Sequence, residues 1–303
     1  MSGLKQLQLK IRSTDKTRKV TKAMESISAA KMRKAQHRTL AARGYARAAV
    51  SVLSRVAVVG SIGDHPLVKP RAIKRALYIV VTSDKGLAGA LNSGVLRAVA
   101  SHIEQACLSK ENMSIVAVGR KANDYFARRG FHVDAFHQHR EDVVSRELMQ
   151  EITNEAANRF VMEACDVVYI AYQHFVTTFE QRPTLRTVFP LSLEELSAAT
   201  LDVAARGAKK EVAVVNKDVY EVEPAEGEIL NEILPRLASI FVYHALLESQ
   251  ASEHSARMVA MKGASDKGAE ISHAITLKYN KARQAAITRE VSEITGGMEA
   301  MAN

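Results

Sequence analysis

The 303-residue chain contains no tryptophan, and its 8 tyrosines and 8 phenylalanines make up only 5% of the sequence. This scarcity argues against a β-sandwich or a β-barrel, because the strands of those folds depend on aromatic and β-branched side chains. The only two cysteines, Cys107 and Cys165, lie far apart and outside any C-x-x-C or Cys/His ligand spacing. We expect no metal site from them and interpret both as buried thiols of a protein in a reducing compartment.

The sequence also lacks long apolar runs and a recognisable leader. No run approaches the roughly 20 apolar residues that a membrane-spanning helix needs, and the N-terminus shows no basic-then-apolar signal pattern. Any membrane association is therefore expected to come through partners. Because Met1 stands only a few residues before the first helical pattern, without a transit peptide, we expect a bacterial protein rather than an imported organellar precursor.

Positive charge is concentrated near the N-terminus. The formal net charge is +9, yet between Leu4 and Arg43 twelve lysines and arginines stand against only Asp15 and Glu25. That segment alone carries +10, so the remainder of the chain is close to neutral. A basic segment attached to a neutral body predicts an anionic partner, which can be a nucleic acid, an acidic lipid or an acidic protein surface.

The same basic segment is predicted to be a long helix. It contains neither glycine nor proline from Leu4 to Arg43, and after Gly44 the helical pattern resumes to about Val59. A helix of about 40 residues spans roughly 60 Å, which is long for an ordinary globular element. Its narrow apolar stripe is typical of a coiled-coil seam. The stripe consists of Leu4, Leu7, Ile11, Val20, Met24, Ile27, Val50, Leu53 and Ala57.

The middle of the chain, from Ile73 to about Val222, predicts a small Rossmann-like α/β domain. Short β-prone runs alternate with helical stretches, which indicates a largely parallel sheet. The predicted strands are Ala76 to Val81, Ser114 to Val118 and Val167 to Tyr172. The predicted helices are Leu91 to Cys107, Ala122 to Arg129 and Asp142 to Ala164. The segment from Gly60 to Pro70 is interpreted as the linker into this domain.

A second long helix is predicted after Pro224. Its stripe steps alternately by three and four residues, the strongest periodicity in the chain. The stripe runs through Leu237, Ile240, His244, Leu247, Ala251, His254, Met258 and Met261. Two long helices with narrow seams pair most simply as an antiparallel coiled coil, with the α/β domain inserted between them. The predicted division is 1–60, 61–223 and 224–303.

Three segments resemble the gamma subunit family of F-type ATP synthases. Ile11 to Gln36 contains T-K-A-M and resembles the N-terminal helix of the family. Ser83 to Asn92, S-D-K-G-L-A-G-A-L-N, resembles its Gly-rich turn after the first strand. Glu248 to Gly297 contains A-R-M-V-A-M-K and L-K-Y-N-K-A-R-Q-A-A-I-T-R-E-V-S-E-I-T-G-G, which are similar to its C-terminal signature. Their order and spacing cover the whole chain.

The resemblance implies a role as the central rotor shaft, with no catalytic site and no cofactor or metal of its own. In the family the paired helices stand inside a ring of three alpha and three beta subunits, and a foot contacts the epsilon subunit and the membrane c-ring. Rotation couples proton transport to ATP synthesis or hydrolysis. The expected location is peripheral, at the cytoplasmic face of the bacterial inner membrane.

The resemblance also implies a set of residues that contact the inner wall of the ring. They are Met24, Arg257, Arg283, Gln284, Thr288 and Glu290. Taken without the motifs, Met24 is ordinary seam packing and Arg257 and Arg283 are solvated charges. The chain departs from the family pattern at Ser26 and Met298, and it lacks the cysteine-bearing loop of the chloroplast form, so no thiol switch is expected.

Two other functions compete with this interpretation. A nucleotide-binding α/β enzyme with helical arms is suggested by the Gly-rich turn, but Gly86 and Gly89 match neither the dinucleotide nor the P-loop fingerprint. A nucleic-acid binder is suggested by the basic helix, but no recognised binding fold supports it. The cluster of His132, Asp134, His137 and His139 lacks a matching ligand set, and we interpret it as an exposed strand and turn.

Overall fold

The computed structural model describes residues 2–59, 65–138, 144–192 and 226–302. The chain forms two compact units: the first combines Met1–Ser28 with Arg257–Asn303, and the second comprises Ala29–Ala256. The boundaries of the predicted three-part division, at residues 60 and 223, lie outside the described residues. Within the described part, no helix is both long enough and apolar enough to cross a bilayer.

Five α-helices and five strands make up the described chain, with one 3-10 turn at Lys110–Asn112. The helices are α1 (Ser2–Val59), α2 (Leu91–Ala106), α3 (Arg120–Ala127), α4 (Arg146–Val161) and α5 (Glu226–Ala302). The strands are β1 (Ala76–Val81), β2 (Met113–Val118), β3 (His132–His137), β4 (Val167–Phe175) and β5 (Gln181–Phe189).

The five strands form one sheet in the order β3-β2-β1-β4-β5. All pairings are parallel except the one between β4 and β5, which is antiparallel. The largely parallel sheet predicted from the sequence is therefore confirmed. The strand β5 was not predicted, because its alternation is interrupted by Arg182, Pro183 and Arg186, which suit an edge strand but not a buried one.

Both faces of the sheet are covered, which explains why β1 reads as an uninterrupted apolar run. Alternate residues Leu77, Ile79 and Val81 pack with side chains of α4 and of α5 between Leu230 and Leu247. The intervening Tyr78 and Val80 face α2 and α3. The second unit therefore contains a three-layer α/β core in which a stretch of α5 forms part of one layer.

The first unit is an antiparallel helix pair, as predicted. Ser272 on α5 donates a hydrogen bond to Asp15 on α1 over 2.9 Å, and a Cβ placed on Gly268 would lie 3.5 Å from the Cβ of Arg18. For two residues that face each other across this pair, one on α1 and one on α5, the residue numbers therefore add up to about 286. In the second unit Ala35, Phe175 and Ala251 form a small buried cluster.

The predicted seam of α1 is wrong in one part. Val20 and Ile27 are 58% and 55% exposed, because the three- and four-residue steps that begin at Leu4, Leu7 and Ile11 continue through smaller, polar residues instead. The partly or fully buried positions from there to Ser28 are Thr14, Asp15, Thr21, Met24, Glu25 and Ser28, so the predicted seam residue Met24 is among them. The side chains of Val50, Leu53 and Ala57 lie outside the described residues.

The predicted stripe of α5 is correct, but burial on α5 extends beyond the narrow stripe that a two-helix seam would cover. Leu237, His244, Leu247, Ala251, His254 and Met261 are buried, with Ile240 and Met258 half-buried. Residues 244–252 are buried around the whole helix. The stripe therefore belongs partly to the sheet and not only to the other long helix.

Two predictions of side-chain exposure, one for a cysteine and one for a histidine, are wrong. Cys107 is exposed because it ends α2 in the left-handed conformation, with φ of 52°, beyond the buried face of the helix. Cys165 is buried as expected. The strand predicted around His132 is present as β3, but His137 at its end is buried; His139 lies outside the described residues.

Candidate functional site

The six predicted contact residues all lie in the first unit, Met24 on α1 and the other five on α5. Met24 is half-buried, beside the seam position Glu25. The register of the helix pair sets Met24 level with about residue 262 of α5. Its side chain is therefore only partly used for packing, and part of it remains available to a partner.

The five residues of α5 differ in exposure. Arg257 is buried, with 8% of its surface accessible, so the interpretation of Arg257 as a solvated charge is wrong. Arg283, Gln284, Thr288 and Glu290 are exposed. About 21 residues of helix separate the level of Met24 from Arg283, or roughly 30 Å at 1.5 Å per residue. The structure therefore places the predicted site in separate regions along one helix pair.

The end of α5 carries an apolar stripe that sequence reasoning did not single out. Ile287, Val291, Ile294 and Met298 are 53%, 54%, 63% and 67% exposed, at steps of four, three and four residues. Ser2, where the described part of α1 begins, is level with about residue 285, and the stripe lies beyond it. The heptad spacing of the stripe can be read from the sequence. That the stripe is exposed follows only from the alignment of α1 against α5.

A basic groove runs beside the helix pair. Its volume is about 460 Å³, and its walls include Arg18, Lys19 and Lys22 of α1 together with Asp266 of α5. Small side chains, Ala23, Ser26, Ser265 and Ala269, form the rest of the lining. Arg18 and Lys22 already pair with Asp15 and Glu25 of α1, so the positive excess of the groove is small, and the anionic partner stays a prediction.

The carboxyl edge of the sheet is where a Rossmann-like domain would hold a nucleotide phosphate. Here the first amides of α3 are already bonded within the chain. Arg120 N–H donates to Asp84 Oδ1 over 2.8 Å, Lys121 N–H donates to the Ser83 carbonyl over 3.2 Å, and Ala122 N–H donates to Thr82 Oγ1 over 2.9 Å. A carboxylate at this position also repels phosphate.

The Gly-rich turn is held together by its own ends. Asn92 Oδ1 accepts from Ser83 N–H over 2.9 Å, and Asn92 Nδ2 donates to Ser83 Oγ over 2.8 Å. At the neighbouring strand end, a Cβ on Gly119, whose φ is +94°, would lie 2.1 Å from the Thr82 carbonyl oxygen. The close approach is therefore between the ends of β1 and β2, whereas a Cβ on Gly86 or Gly89 of the turn itself would meet nothing within 4 Å.

The described groups with the largest pKa shifts belong to the core. Burial raises the pKa of Tyr78 above its ordinary range and raises that of Cys165 to about 11. Tyr78 Oη lies 3.0 Å from His102 Nδ1, and burial lowers the pKa of His102. Among the described residues no group of three or more histidine, cysteine or acidic side chains is arranged to hold a metal ion.

Comparison with known proteins covers almost the whole chain. Residues 3–301 match the protein family described as ATP synthase. An ATP synthase gamma chain of Staphylococcus epidermidis is 35% identical over 301 residues, which cover 99% of this chain and 100% of the relative. The gamma chain of Pelotomaculum thermopropionicum is 36% identical over the same coverage. The chain belongs to the ATP synthase gamma-chain family.

Solved structures of the family share the fold. A chain of the Euglena gracilis mitochondrial ATP synthase, from a structure containing OSCP, F1 and the c-ring, matches with a TM-score of 0.67 at 17% identity, covering 99% of this chain and 95% of that chain. A chain from the central stalk and c-ring structure of the Tetrahymena thermophila mitochondrial ATP synthase matches with a TM-score of 0.59 at 24% identity. The match covers 81% of this chain and 99% of that chain. The predicted combination of terminal helices and an inserted α/β domain is therefore the fold of the family.

Proposed function

We propose that the chain is the central rotor shaft of an F-type ATP synthase, transmitting torque between a proton-driven membrane ring and a catalytic hexamer. The observation that carries the proposal is the match along nearly the whole length to ATP synthase gamma chains at 35% identity. Its partners would be three alpha and three beta subunits, the epsilon subunit and the c-ring. Its location would be the cytoplasmic face of the bacterial inner membrane, peripheral and held through those partners.

The contact surface would be the exposed side of the first unit. Arg283, Gln284, Thr288 and Glu290 are available there, and the stripe from Ile287 to Met298 offers apolar surface at the same end of α5. Isolated exposed apolar residues need no explanation, but four at heptad spacing predict a covering surface. An enclosing ring wall with apolar and polar patches fits both features.

The buried Arg257 would act differently from the other residues. Because its side chain is largely withdrawn from solvent, we assign it to fixing the conformation of α5 rather than to direct contact. Met24 would contribute a half-exposed, adaptable side chain beside the basic groove. Contacts of this kind are weak and partly hydrated, which suits a surface that must slide past three sites in turn.

The chain itself would be non-catalytic. At the carboxyl edge of the sheet, Asp84 and Thr82 already occupy two of the first amides of α3. Nucleotide chemistry would then belong entirely to the alpha and beta subunits. The competing enzyme function receives no support from this geometry.

Affinity purification from detergent-solubilised membranes tests the proposal. A tagged full-length chain, expressed in its own host, should retain alpha, beta, epsilon and c subunits in a complex that hydrolyses ATP. The same chain purified alone should hydrolyse none. Recovery of the chain without alpha and beta subunits, or ATP hydrolysis by the isolated chain, would contradict the proposal.

A further inference from the structure

A row of three polar side chains lies on one face of α5, within the second unit. This polar row consists of Glu248, Ser252 and Ser255. Steps of four and three residues keep the three positions within about 60° of one another around the helix and spread them over about 10 Å along it. All three side chains are buried. A buried polar group needs a hydrogen-bonding partner, so the surface that the row faces must supply polar groups at matching places.

The first two members of the polar row bind strand β4. Glu248 Oε2 lies 2.6 Å from His174 Nδ1, and because an ionised carboxylate only accepts, the imidazole donates this hydrogen bond. Ser252 Oγ donates to the Gln173 carbonyl over 3.0 Å. The β5 residue opposite Gln173 is Pro183, which has no N–H, and the part of β1 that pairs with β4 ends before this point. Ser252 therefore supplies a donor that neither neighbouring strand offers.

The third member binds the turn that joins β4 to β5. Ser255 Oγ donates to the Thr178 carbonyl over 2.6 Å, and the same carbonyl accepts from Gln181 Nε2 over 3.0 Å. The turn is closed by its own backbone, since Thr177 N–H donates to the Glu180 carbonyl and Glu180 N–H donates back to the Thr177 carbonyl. A hydrogen bond to this closed turn therefore holds α5 against the hairpin as a whole.

Apolar packing contributes little to this stretch of the contact. The apolar core that α5 shares with the sheet extends along the helix only as far as Leu247. From Glu248 to Ala260, Ala251 is the one apolar side chain that is buried. Apolar burial is non-directional, whereas a hydrogen bond weakens steeply when it is misaligned. Turning α5 about its axis by one residue, about 100°, would carry the whole polar row away from β4.

We propose that the polar row fixes the rotation of α5 against the β4–β5 hairpin and carries torque between the sheet and this helix. The inference rests on the proposed function, because a shaft transmits torque only where its helix and its sheet cannot turn separately. The second unit ends at Ala256, and α5 continues beyond it. The polar row therefore holds the angle of α5 at the last residues of the unit that contains the sheet.

Hydrogen exchange on the full-length chain tests the polar row without any partner. Ser252→Ala removes the donor to β4 and should raise the exchange rate of the amides that close the β4–β5 turn about tenfold, the effect of leaving one buried acceptor unpaired. Ser239→Ala is the matched control, because Ser239 lies on the same helix and donates within it, to the Pro235 carbonyl. It should leave those amides unchanged. Natural exchange rates in Ser252→Ala would overturn the proposal.

Two variants of Glu248 separate the hydrogen bond from the volume of the side chain. Glu248→Gln keeps an oxygen that can accept from His174 and should retain the natural exchange rates of the turn. Glu248→Met has a similar length but no such acceptor, and it should raise those rates. Equal exchange rates in the two variants would contradict a role for this hydrogen bond in holding the hairpin.

Rotation of single complexes tests the transmission of torque. With the hexamer fixed to a surface and a bead attached through the exposed Cys107 at the end of α2, the angular spread of the bead in each pause reports how firmly the sheet is held to α5. The spread should widen in Ser252→Ala and in Glu248→Met, and it should stay natural in Ser239→Ala. A natural spread in the first two variants would overturn the torque role.

The two measurements also keep this inference separate from the proposed function. If the natural chain does not assemble with alpha and beta subunits, the proposed function fails, and the torque role of the polar row fails with it. The exchange measurements then still decide whether the row holds α5 against the hairpin. If the natural complex rotates and the variants rotate with the same spread, only the inference about the polar row fails.

Discussion

Whether a cysteine side chain of this protein is buried depends on where its helix or strand ends, and not only on its hydrophobicity. Cys107 and Cys165 have the same chemistry, and the sequence predicts burial for both. Cys165 lies in the core between α4 and β4, whereas Cys107 ends α2 with a left-handed backbone and faces solvent. The difference arises from where α2 stops, a boundary that helical periodicity defines only to within a residue or two.

We expect the two thiols to differ sharply in reactivity. Burial raises the pKa of Cys165 to about 11, so only about 0.1% of it is thiolate at pH 8, and the thiolate is the reacting form. Alkylation at pH 8 should therefore modify one thiol per chain rapidly, and the second only after unfolding in guanidinium. The rapid phase should disappear in Cys107→Ser. Two equally rapid thiols in the folded protein would contradict this assignment.

Other residues of the candidate site show what sequence motifs can and cannot supply. The family motifs select Arg257 and Arg283 alike, yet Arg257 is buried and Arg283 is exposed. A motif records which residue type stands at a position and not what surrounds it. Burial is set by contacts with residues distant in the sequence, so these two arginines acquire separate roles only from the structure.

At the scale of elements, periodicity predicts a helix more reliably than it predicts the partner of that helix. Both long helices and the strands β1, β2 and β4 follow from apolar patterns, because burial on both faces leaves a continuous signal. The seam of α1 does not follow, since Ser28 is buried and Thr21 is half-buried while Val20 and Ile27 are exposed. Small residues of α5, Ser265, Gly268 and Ser272, allow a close approach that hydrophobicity alone does not reveal.

The register of the helix pair can be tested with a disulfide. A Cβ on Gly268 would lie 3.5 Å from the Cβ of Arg18, at the short end of the 3.5–4.5 Å range of disulfide Cβ atoms. In a chain carrying Cys107→Ser and Cys165→Ser, Arg18→Cys with Gly268→Cys should crosslink in most molecules under mild oxidation. Non-reducing electrophoresis of a tryptic digest would detect the joined peptides.

Gly263 provides a matched control for that crosslink. It lies on the same helix, five residues before Gly268, and a Cβ placed on it meets nothing within 4 Å. Arg18→Cys with Gly263→Cys should therefore remain uncrosslinked within each chain. Crosslinking of the Gly263 pair but not the Gly268 pair would indicate that the two helices are paired in another register.

For the whole molecule, the proposed function requires contacts whose strength changes with the angle of rotation. A contact that is equal in every state shifts no equilibrium and transmits no torque. The family assignment rests on motifs that extend along the chain, and it could be predicted from sequence. The exposed stripe from Ile287 to Met298 could not, because its exposure depends on where the two helices of the first unit meet.

Met24 offers a decisive test of such angle-dependent contact. It is half-buried on α1 beside a groove whose walls carry Arg18, Lys19 and Lys22. Met24→Lys adds a further cation, which can form an ion pair with a carboxylate of the surrounding ring in one angular state only. Stabilising that one angular state by about 1 to 3 kcal/mol, the scale of a charge-assisted hydrogen bond, would slow or uncouple rotation without unfolding the helix pair.

The expected phenotype separates coupling from packing. In membrane vesicles, the Met24→Lys complex should assemble and hydrolyse ATP while pumping several-fold fewer protons per ATP than the natural sequence. Met24→Leu keeps the apolar volume and should retain the natural ratio, because volume-conserving apolar substitutions are well tolerated. ATPase and proton pumping are measured side by side on the same vesicles. An unchanged ratio in Met24→Lys, or a proportional loss of both activities, would mean that Met24 contributes to packing and not to torque.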